Sequence, residues 1–439
     1  MVYRLKLSQP SKLTKRVGER YFFGKFLYLW MFNEPSHCMN YTLEEVRDAR
    51  QRREFLQLPQ RLYAGNRNWV CPLDDDIEKV FDPLRNEKFC GGEAIRWIAR
   101  NAQGEVVGRI AAFYNREQAA IEEQPTGGCG FFEAVNDQTL ADTLFDAARD
   151  WLASKGMEAM DGPINFGDRD SWWGLLVSGF EYQPLYCNPY NPPYYQELFE
   201  NYGWQNYFNQ HTYSRKIKSG QLNEALYEKV RRLEEAGNYE FRHLERRELV
   251  QAAEDFRRIY NRAWARFPGV KPMDAEHARK LFRTLAPIVD CRLIYFAYFN
   301  SEPIGFFFNI PDLNRVIGKH KGKFGLLQKL QTLWDIRRGK ADRIFGLIFG
   351  VLPEYQGKGV ESGLIRCMEK EIDKGNLCDY RSLELAWIGD FNPVMMRMVE
   401  SYVCASRHKM HTTYRFLFDR TRPFERCPRL GLKRVEQNF

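Results

Sequence analysis

The same order of elements is written twice in this chain, about 200 residues apart, and that repetition limits the fold more than any single motif does. In the first copy, Ala94–Ala99 and Val106–Tyr114 are short apolar or alternating runs joined by Asn101-Ala102-Gln103-Gly104, which predicts a hairpin, and Gly130–Val135 predicts a further strand. From Asp137 to Ser154, Leu140, Leu144, Ala147, Ala148, Trp151 and Leu152 recur at helical spacing, with Gly156 as the stop. A Gly- and Pro-rich stretch then leads into a helix over Tyr194–Tyr202, closed by Gly203. In the second copy two amphipathic helices, one marked by Leu249, Ala253, Phe256, Tyr260 and Trp264 and one over Ala275–Leu285, precede a hairpin of Cys291–Phe299 and Ile304–Ile310. A buried strand over Arg343–Leu352 follows, then a Gly turn, the helix Val360–Lys374 stopped by Gly375, the strand Ser382–Ile388, the helix Pro393–Tyr402 and the strand His411–Phe418. Such a pattern predicts an α/β fold of mixed sheets in two tandem units. We divide it into a basic, aromatic extension (1–39), a first unit (40–217) and a second (218–439), which opens with a charged helical connector over 218–240 and ends in a basic tail.

Length agrees, since 439 residues exceed the roughly 250–300 at which one core stops growing. With 44% hydrophobic and 28% charged residues the chain is neither disordered nor fibrous. No apolar run reaches the roughly 18 residues of a membrane span; the run Tyr21–Phe32 is broken by Lys25. Ten Cys are scattered without a Cys-x-x-Cys pair and the seven His do not fall at ligand spacing, so we expect free thiols in a reducing cytoplasm and no metal. Of the net charge of +8, residues 1–38 hold +5, which leaves no basic face for nucleic acid. Two readings of that segment stay open. One is an interfacial helix laying Phe22, Phe23, Phe26 and Trp30 on lipid headgroups at the inner membrane face, the other an extension upstream of a start at Met39. The run Lys319-His320-Lys321-Gly322-Lys323 reads as solvated charge, with coenzyme phosphate or headgroups as alternatives.

Chemistry concentrates in Leu352-Pro353-Glu354-Tyr355-Gln356-Gly357-Lys358-Gly359-Val360-Glu361, where an apolar strand passes through a Gly-rich turn into a helix. Gly357 and Gly359 permit positive φ, and main-chain N–H groups at a helix start beside Lys358 favour a phosphate. This stretch resembles the coenzyme signature of the GNAT superfamily of acyl-CoA-dependent N-acyltransferases, with Gln356 and Gly359 in register and Glu361 where the family has Gly or Ala. The resemblance extends to the tandem-GNAT group that includes bacterial ceramide-synthase-like proteins. It is carried by Asn68-Trp69-Val70-Cys71-Pro72-Leu73, Gly162-Pro163-Ile164-Asn165-Phe166, Tyr190-Asn191-Pro192-Pro193-Tyr194-Tyr195 and Glu384-Leu385-Ala386-Trp387. It implies acyl-CoA or acetyl-CoA as co-substrate, bound through Leu352, Gln356, Gly357, Lys358, Gly359 and Val360, and an amine acceptor. Asn392 then belongs to the second coenzyme-side motif. Val399 falls where the family places a thiolate-protonating Tyr, so Tyr402, Tyr414 or water would have to substitute.

Whatever the acceptor, an alkyl ammonium with a pKa near ~10.4 must lose a proton before it attacks a thioester. Glu384, on a strand beside the coenzyme helix, is the expected base, with Glu354 second. The first unit lacks a Gly turn before Asp137, so we expect it to shape a pocket rather than bind coenzyme. Asn165, Trp173, Tyr190 and Tyr194, among the aromatics Trp172, Tyr182, Tyr186 and Tyr195, are expected to face the cleft between units. Three activities fit: long-chain acylation of a sphingoid or other lipid amine, acetylation of a small soluble amine, or ligand binding without catalysis.

Overall fold

A computed structural model describes residues 41–121, 123–220, 222–264 and 272–429; the extension 1–39 and its two readings lie outside the described residues. The first half runs β1 (Thr42–Glu45), α1 (Ala49–Leu62), α2 (Asp74–Val80), β2 (Gly92–Arg100), β3 (Val106–Asn115), β4 (Thr126–Ala134), α3 (Gln138–Ser154), β5 (Ala159–Gly162), β6 (Leu175–Ser178), α4 (Tyr195–Tyr202) and β7 (Gln205–Lys216). The second half repeats it as α5 (Glu224–Glu235), β8 (Tyr239–His243), α6 (Leu249–Trp264), α7 (Ala275–Leu285), β9 (Ile294–Phe299), β10 (Glu302–Pro311), α8 (Leu326–Arg337), β11 (Arg343–Val351), α9 (Val360–Asp373), β12 (Ser382–Gly389), α10 (Pro393–Ser401) and β13 (Ser406–Leu417). The expected tandem α/β fold is the one adopted. Among the described residues no helix is long and apolar enough to cross a membrane.

Local chemistry places most of these elements. Asp137 caps α3 by accepting from the Leu140 N–H at 2.9 Å, and the helix buries Leu140, Ala141, Leu144, Phe145, Ala148 and Leu152 as one stripe. The β9–β10 hairpin turns on Asn300 and Ser301, both at positive φ (49° and 65°), the hand that matches strand twist.

One sheet runs through both halves, in the order β1-β2-β3-β4-β5-β13-β7-β12-β11-β10-β9-β8, with β6 also on β13. Each half contributes an antiparallel run that ends in one parallel pair, β4 with β5 and β11 with β12. The final strands are exchanged: β7, from the first half, pairs with β12, and β13 pairs with β5. At the centre β7 and β13 run antiparallel, and the sixth residue of each, Gln210 and His411, face one another on what is thus a local two-fold axis. Hydropathy gives no sign of β7, because the central strands are polar and bond one another through several side chains, although Gln210 Nε2 has no partner among the described residues. The Thr413 hydroxyl donates to Gln210 Oε1 at 3.0 Å and the Thr412 hydroxyl to Asn209 Oδ1 at 2.9 Å, with Gln210, Thr212 and Thr413 wholly buried. The stretch 218–240 is also more than a helical connector, since its last residues begin β8 on the sheet edge.

Candidate functional site

Parallel pairing between β11 and β12 covers Arg343–Gly346 against Ser382–Leu385 and then stops. Beyond it the strands part, β11 continuing on β10 and β12 on β7, and a crevice opens at their carboxyl ends. Leu347, Ile348, Phe349, Ala386, Trp387 and Ile388, all half-buried, form its walls. The register of β11 on β10 slips between Phe308 and Asn309, so Leu347 is a bulge residue without a partner on β10. The register slip marks the mouth of the crevice. At its base Gly346 is required, because an added Cβ would stand 2.7 Å from Leu385 Cδ2 and 3.2 Å from Asn309 Oδ1.

The Gly turn follows β11. Gly357 (φ 72°) and Gly359 (φ 95°) take the left-handed conformation, and α9 starts at Gly359 with no side-chain cap. Three amides of the turn are used within it: Gln356 N–H donates to Pro353 O (3.3 Å), Lys358 N–H to Tyr355 O (3.4 Å) and Gly357 N–H to Glu361 Oε1 (3.2 Å). Glu361 thus puts a carboxylate where an anionic ligand would sit. Among the described residues the amides of Gly359 and Val360 find no acceptor, while Leu233 of α5 packs against Gly359. Gln356, Gly357 and Lys358 are exposed; Leu352 and Val360 are buried, the former donating to Ile304 O at 2.9 Å. Tyr402, closing α10, reaches the same corner: Lys229 donates to its hydroxyl at 2.7 Å, and Lys229 Cβ borders Gly359. Asn392 caps α10 through Met395 N–H (3.2 Å) and Val399 is buried. Glu354 is paired with Arg262.

Glu384 lies below the crevice, in the paired part of β12, and is 1% exposed. Lys409 of β13 is ion-paired with it, Arg343 of β11 stands at 3.2 Å and His408 at 3.7 Å. Burial lowers the Lys409 ammonium against the pull of Glu384, and holds His408 down at about 4, helped by Lys409 and Arg343. Arg343 also binds Asp312 (2.6 Å) and the main chain of Gln183 and Pro184. Glu384 thus belongs to a buried cluster joining three strands and a loop of the other half.

That loop is part of the long connection 163–194, which touches the site at several points. Trp387 Nε1 donates to Arg169 O at 3.1 Å, fixing Asp168–Trp173 over β12. Asp168 and Asp170 both raise the Tyr260 hydroxyl of α6, after burial. Asp170 keeps access to solvent, yet crowding by protein, with Asp168 second, pushes its carboxyl up to about 6. Buried polar atoms without a partner collect on this connection: Asn165 Oδ1, Trp172 Nε1 and Trp173 Nε1. The other aromatics disperse. The Tyr194 hydroxyl donates to Ala134 O and that of Tyr190 to Phe180 O, Tyr182 stacks on His408, and Tyr186 bonds Asp76. Sequence reasoning missed Asp170, which sits in a patternless loop and gains its surroundings from residues far along the chain.

Two half-open cavities lie elsewhere. One of about 340 Å³, lined by Arg246, Asp290, Cys291, Arg292, Arg337 and Tyr380, is at the opposite, amino ends of β11 and β12; one of about 220 Å³ lies between α5, β8 and α9. Among the described residues no three His, Cys, Asp or Glu side chains gather as a metal site.

Residues 221–319 match the profile of the acetyltransferase (GNAT) domain, a span that ends before the Gly turn. The chain is 27% identical over 377 residues to the bacterial ceramide synthase of Caulobacter vibrioides (strain NA1000 / CB15N), covering 84% of this chain and 95% of that protein. It is 26% identical over 377 residues to protein YghO of Escherichia coli (strain K12), covering 82% and 91%. Among solved structures, a tandem GNAT protein from the clavulanic acid biosynthesis pathway aligns with a TM-score of 0.47 at 11% identity, over 88% of this chain and all of that one.

Proposed function

We propose that the chain transfers an acyl group from a CoA thioester, held in the β11–β12 crevice, to an amine that enters beneath the Asp168–Trp173 loop. The observation that carries this reading is the parting of β11 and β12 beside an uncapped helix start: an extended thioester arm can pair with main chain there while its phosphates meet Lys358 and the amides of Gly359 and Val360. Leu352, Gln356 and Gly357 shape that turn.

Asp170, ionised above about pH 6, takes a proton from the ammonium. The freed nitrogen lone pair adds to the thioester carbon, whose oxygen draws on main-chain N–H groups near Leu347. Collapse breaks the C–S bond, the thiolate takes a proton from Tyr402, whose hydroxyl Lys229 holds, and the second proton that the nitrogen sheds as the amide forms returns through solvent to the Tyr402 oxygen. Glu384 already balances Arg343 and Lys409 inside the sheet; we assign it to fixing β11 and β12 at the root of the crevice. Asn392 sets the start of α10. Asn165 and Trp173 offer unpartnered polar atoms to the acceptor, and Tyr190 and Tyr194 hold the wall behind them.

For the acceptor we favour a sphingoid or related lipid amine, on the likeness to a protein named bacterial ceramide synthase. Incubation with acetyl-CoA and palmitoyl-CoA, each with a sphingoid base and a polyamine, followed by mass spectrometry of products, distinguishes lipid from soluble acceptors. Ala386→Trp, which fills the crevice from a half-buried wall position, should remove CoA-thioester binding while thermal melting is kept. Unchanged affinity in that variant sinks the proposal.

A further inference from the structure

Helix α8 is built inside out. Its buried residues are Thr332 and Asp335, whereas Leu326, Leu327, Leu330 and Trp334 are 73, 77, 56 and 58% exposed. At 3.6 residues per turn those four share one stripe. A helix folded against its own protein in water turns its leucines inward and its aspartate outward. Here the polar face is the docked one because it is satisfied inside. Asp335 is paired with Lys319 and, at 2.7 Å, with Lys340, and Thr332 Oγ1 lies 3.1 Å from His320 Nε2. Rolling the helix to hide the leucines would strand both groups, so the apolar face is a fixed feature of the surface. The segment between β10 and β11 is also an addition to this half, since β3 and β4 are joined by a much shorter connection.

Charge says what covers the face. Residues 319–340 hold seven Lys or Arg against Asp335 alone. With Lys319 and Lys340 engaged by Asp335, the cations Lys321, Lys323, Lys329, Arg337 and Arg338 stand exposed around the stripe, Arg338 lying 5.3 Å from the Trp334 ring centre. Asp74 and Asp75 of α2 border one side, and Asp75 is already paired with Arg85 at 2.7 Å. A second copy of this chain would set these cations against themselves across a symmetric contact. A stripe of Leu and Trp rimmed by Lys and Arg matches the interface of a bilayer, where the acyl boundary accepts the first and anionic headgroups the second.

We infer that α8 is a docking element that lies flat on a membrane surface carrying anionic phospholipid. This holds whichever amine the crevice serves. The test is co-sedimentation of the full chain with phosphatidylcholine vesicles and with vesicles containing about one-third phosphatidylglycerol. Expected is binding to the anionic vesicles about tenfold or more above the neutral ones, weakening as salt rises. Leu327→Glu/Leu330→Glu should lower it about tenfold or more, and Lys323→Glu/Lys329→Glu should erase the preference for anionic lipid. All four positions are exposed, so melting curves should match those of the parent protein, and acyl transfer to a soluble amine should not change. Absence of vesicle binding, or variants that bind as the parent does, overturns the inference. So does a dimer in sedimentation velocity that Leu330→Glu dissociates, which would give the face to a second copy.

Discussion

The two halves share a topology and use its one opening in opposite ways. In the first half β4 and β5 pair over Thr126–Gly128 and then part, as β11 and β12 do, but the gap is closed by the chain itself. Ile164 N–H donates to Cys129 O at 2.8 Å, and the Ile164 carbonyl lies where a Cβ on Gly130 would stand. The helix start behind it is shut as well, by a short turn whose Asp137 caps α3. In place of a ligand the end of β4 carries a buried knot. Glu133 accepts from Tyr63 (2.7 Å) and Tyr195 (2.8 Å) with Arg109 at 3.4 Å, and burial raises its carboxyl above the usual range. A plug, a cap and a closed polar cluster make this half a scaffold, whereas the second half has an uncapped turn and an unplugged crevice. The long connection 163–194 fills the gap beyond β4 and β5 and, in the other half, is held over β12 by Trp387.

The sharpest way to break that comparison is at that connection. Asp170→Asn should lower kcat by about 10²–10⁴-fold and remove the limb of the pH–rate profile that rises through about 6, because the protonated carboxyl cannot accept the acceptor's proton. Equal loss at all pH values, or none, would move the base elsewhere. Next comes the plug. Gly130→Ala drives a methyl into the Ile164 carbonyl and should cost roughly 2–4 kcal/mol of stability in a denaturant titration. Titration calorimetry on the parent protein should find one CoA per chain; two would show that the first half is open after all.

Acid sensitivity separates the halves by a smaller amount. Where β7 has Gln210 on the two-fold axis, β13 has His411, which burial holds at about 4, like His408 nearby. Unfolded histidine titrates near ~6.5, so between that pH and 4 the unfolded chain binds more protons. Stability should therefore be full above pH 6.5 and fall as pH drops toward 4, by at most about 3 kcal/mol per histidine. His408→Phe keeps a ring against Tyr182 and should flatten the slope of Tm against pH. An unaltered slope would mean that His408 is not held neutral.

What the sequence disclosed follows from how far each signal reaches. The strand, Gly turn and helix of 343–373 were legible because their cues lie within one short window, and the hairpin at Asn300-Ser301 likewise. Glu384 could be read as a carboxylate on a strand, but its partners Arg343 and Lys409 come from neighbours fixed by sheet order. The strand His411–Phe418 was legible as most of β13, but β7 and its exchange onto β12 were not, since a strand lined with Asn, Gln, Thr and Ser gives no apolar alternation. Asp170 could not be found, because the loop that carries it is held by Trp387, which lies more than 200 residues along the chain.

The least of the expected effects bears on the one feature that makes the open site resemble the closed one. Glu361 accepts from Gly357 N–H as Asp137 accepts from Leu140 N–H, so each half meets its helix start with a carboxylate. The geometry differs, since Asp137 precedes its helix and is built into the turn, while Glu361 reaches back from inside α9 and is half-buried. A diphosphate arriving at the turn must displace it and meets its charge. Glu361→Gln removes that repulsion and leaves an amide oxygen that can still accept from Gly357. CoA affinity should rise by roughly 3–10-fold, the order expected for one charge beside an anion at an effective dielectric of ~20–80, and the gain should shrink with salt. If affinity falls instead, Glu361 orders the turn for its ligand, and the resemblance between the two helix starts is functional rather than residual.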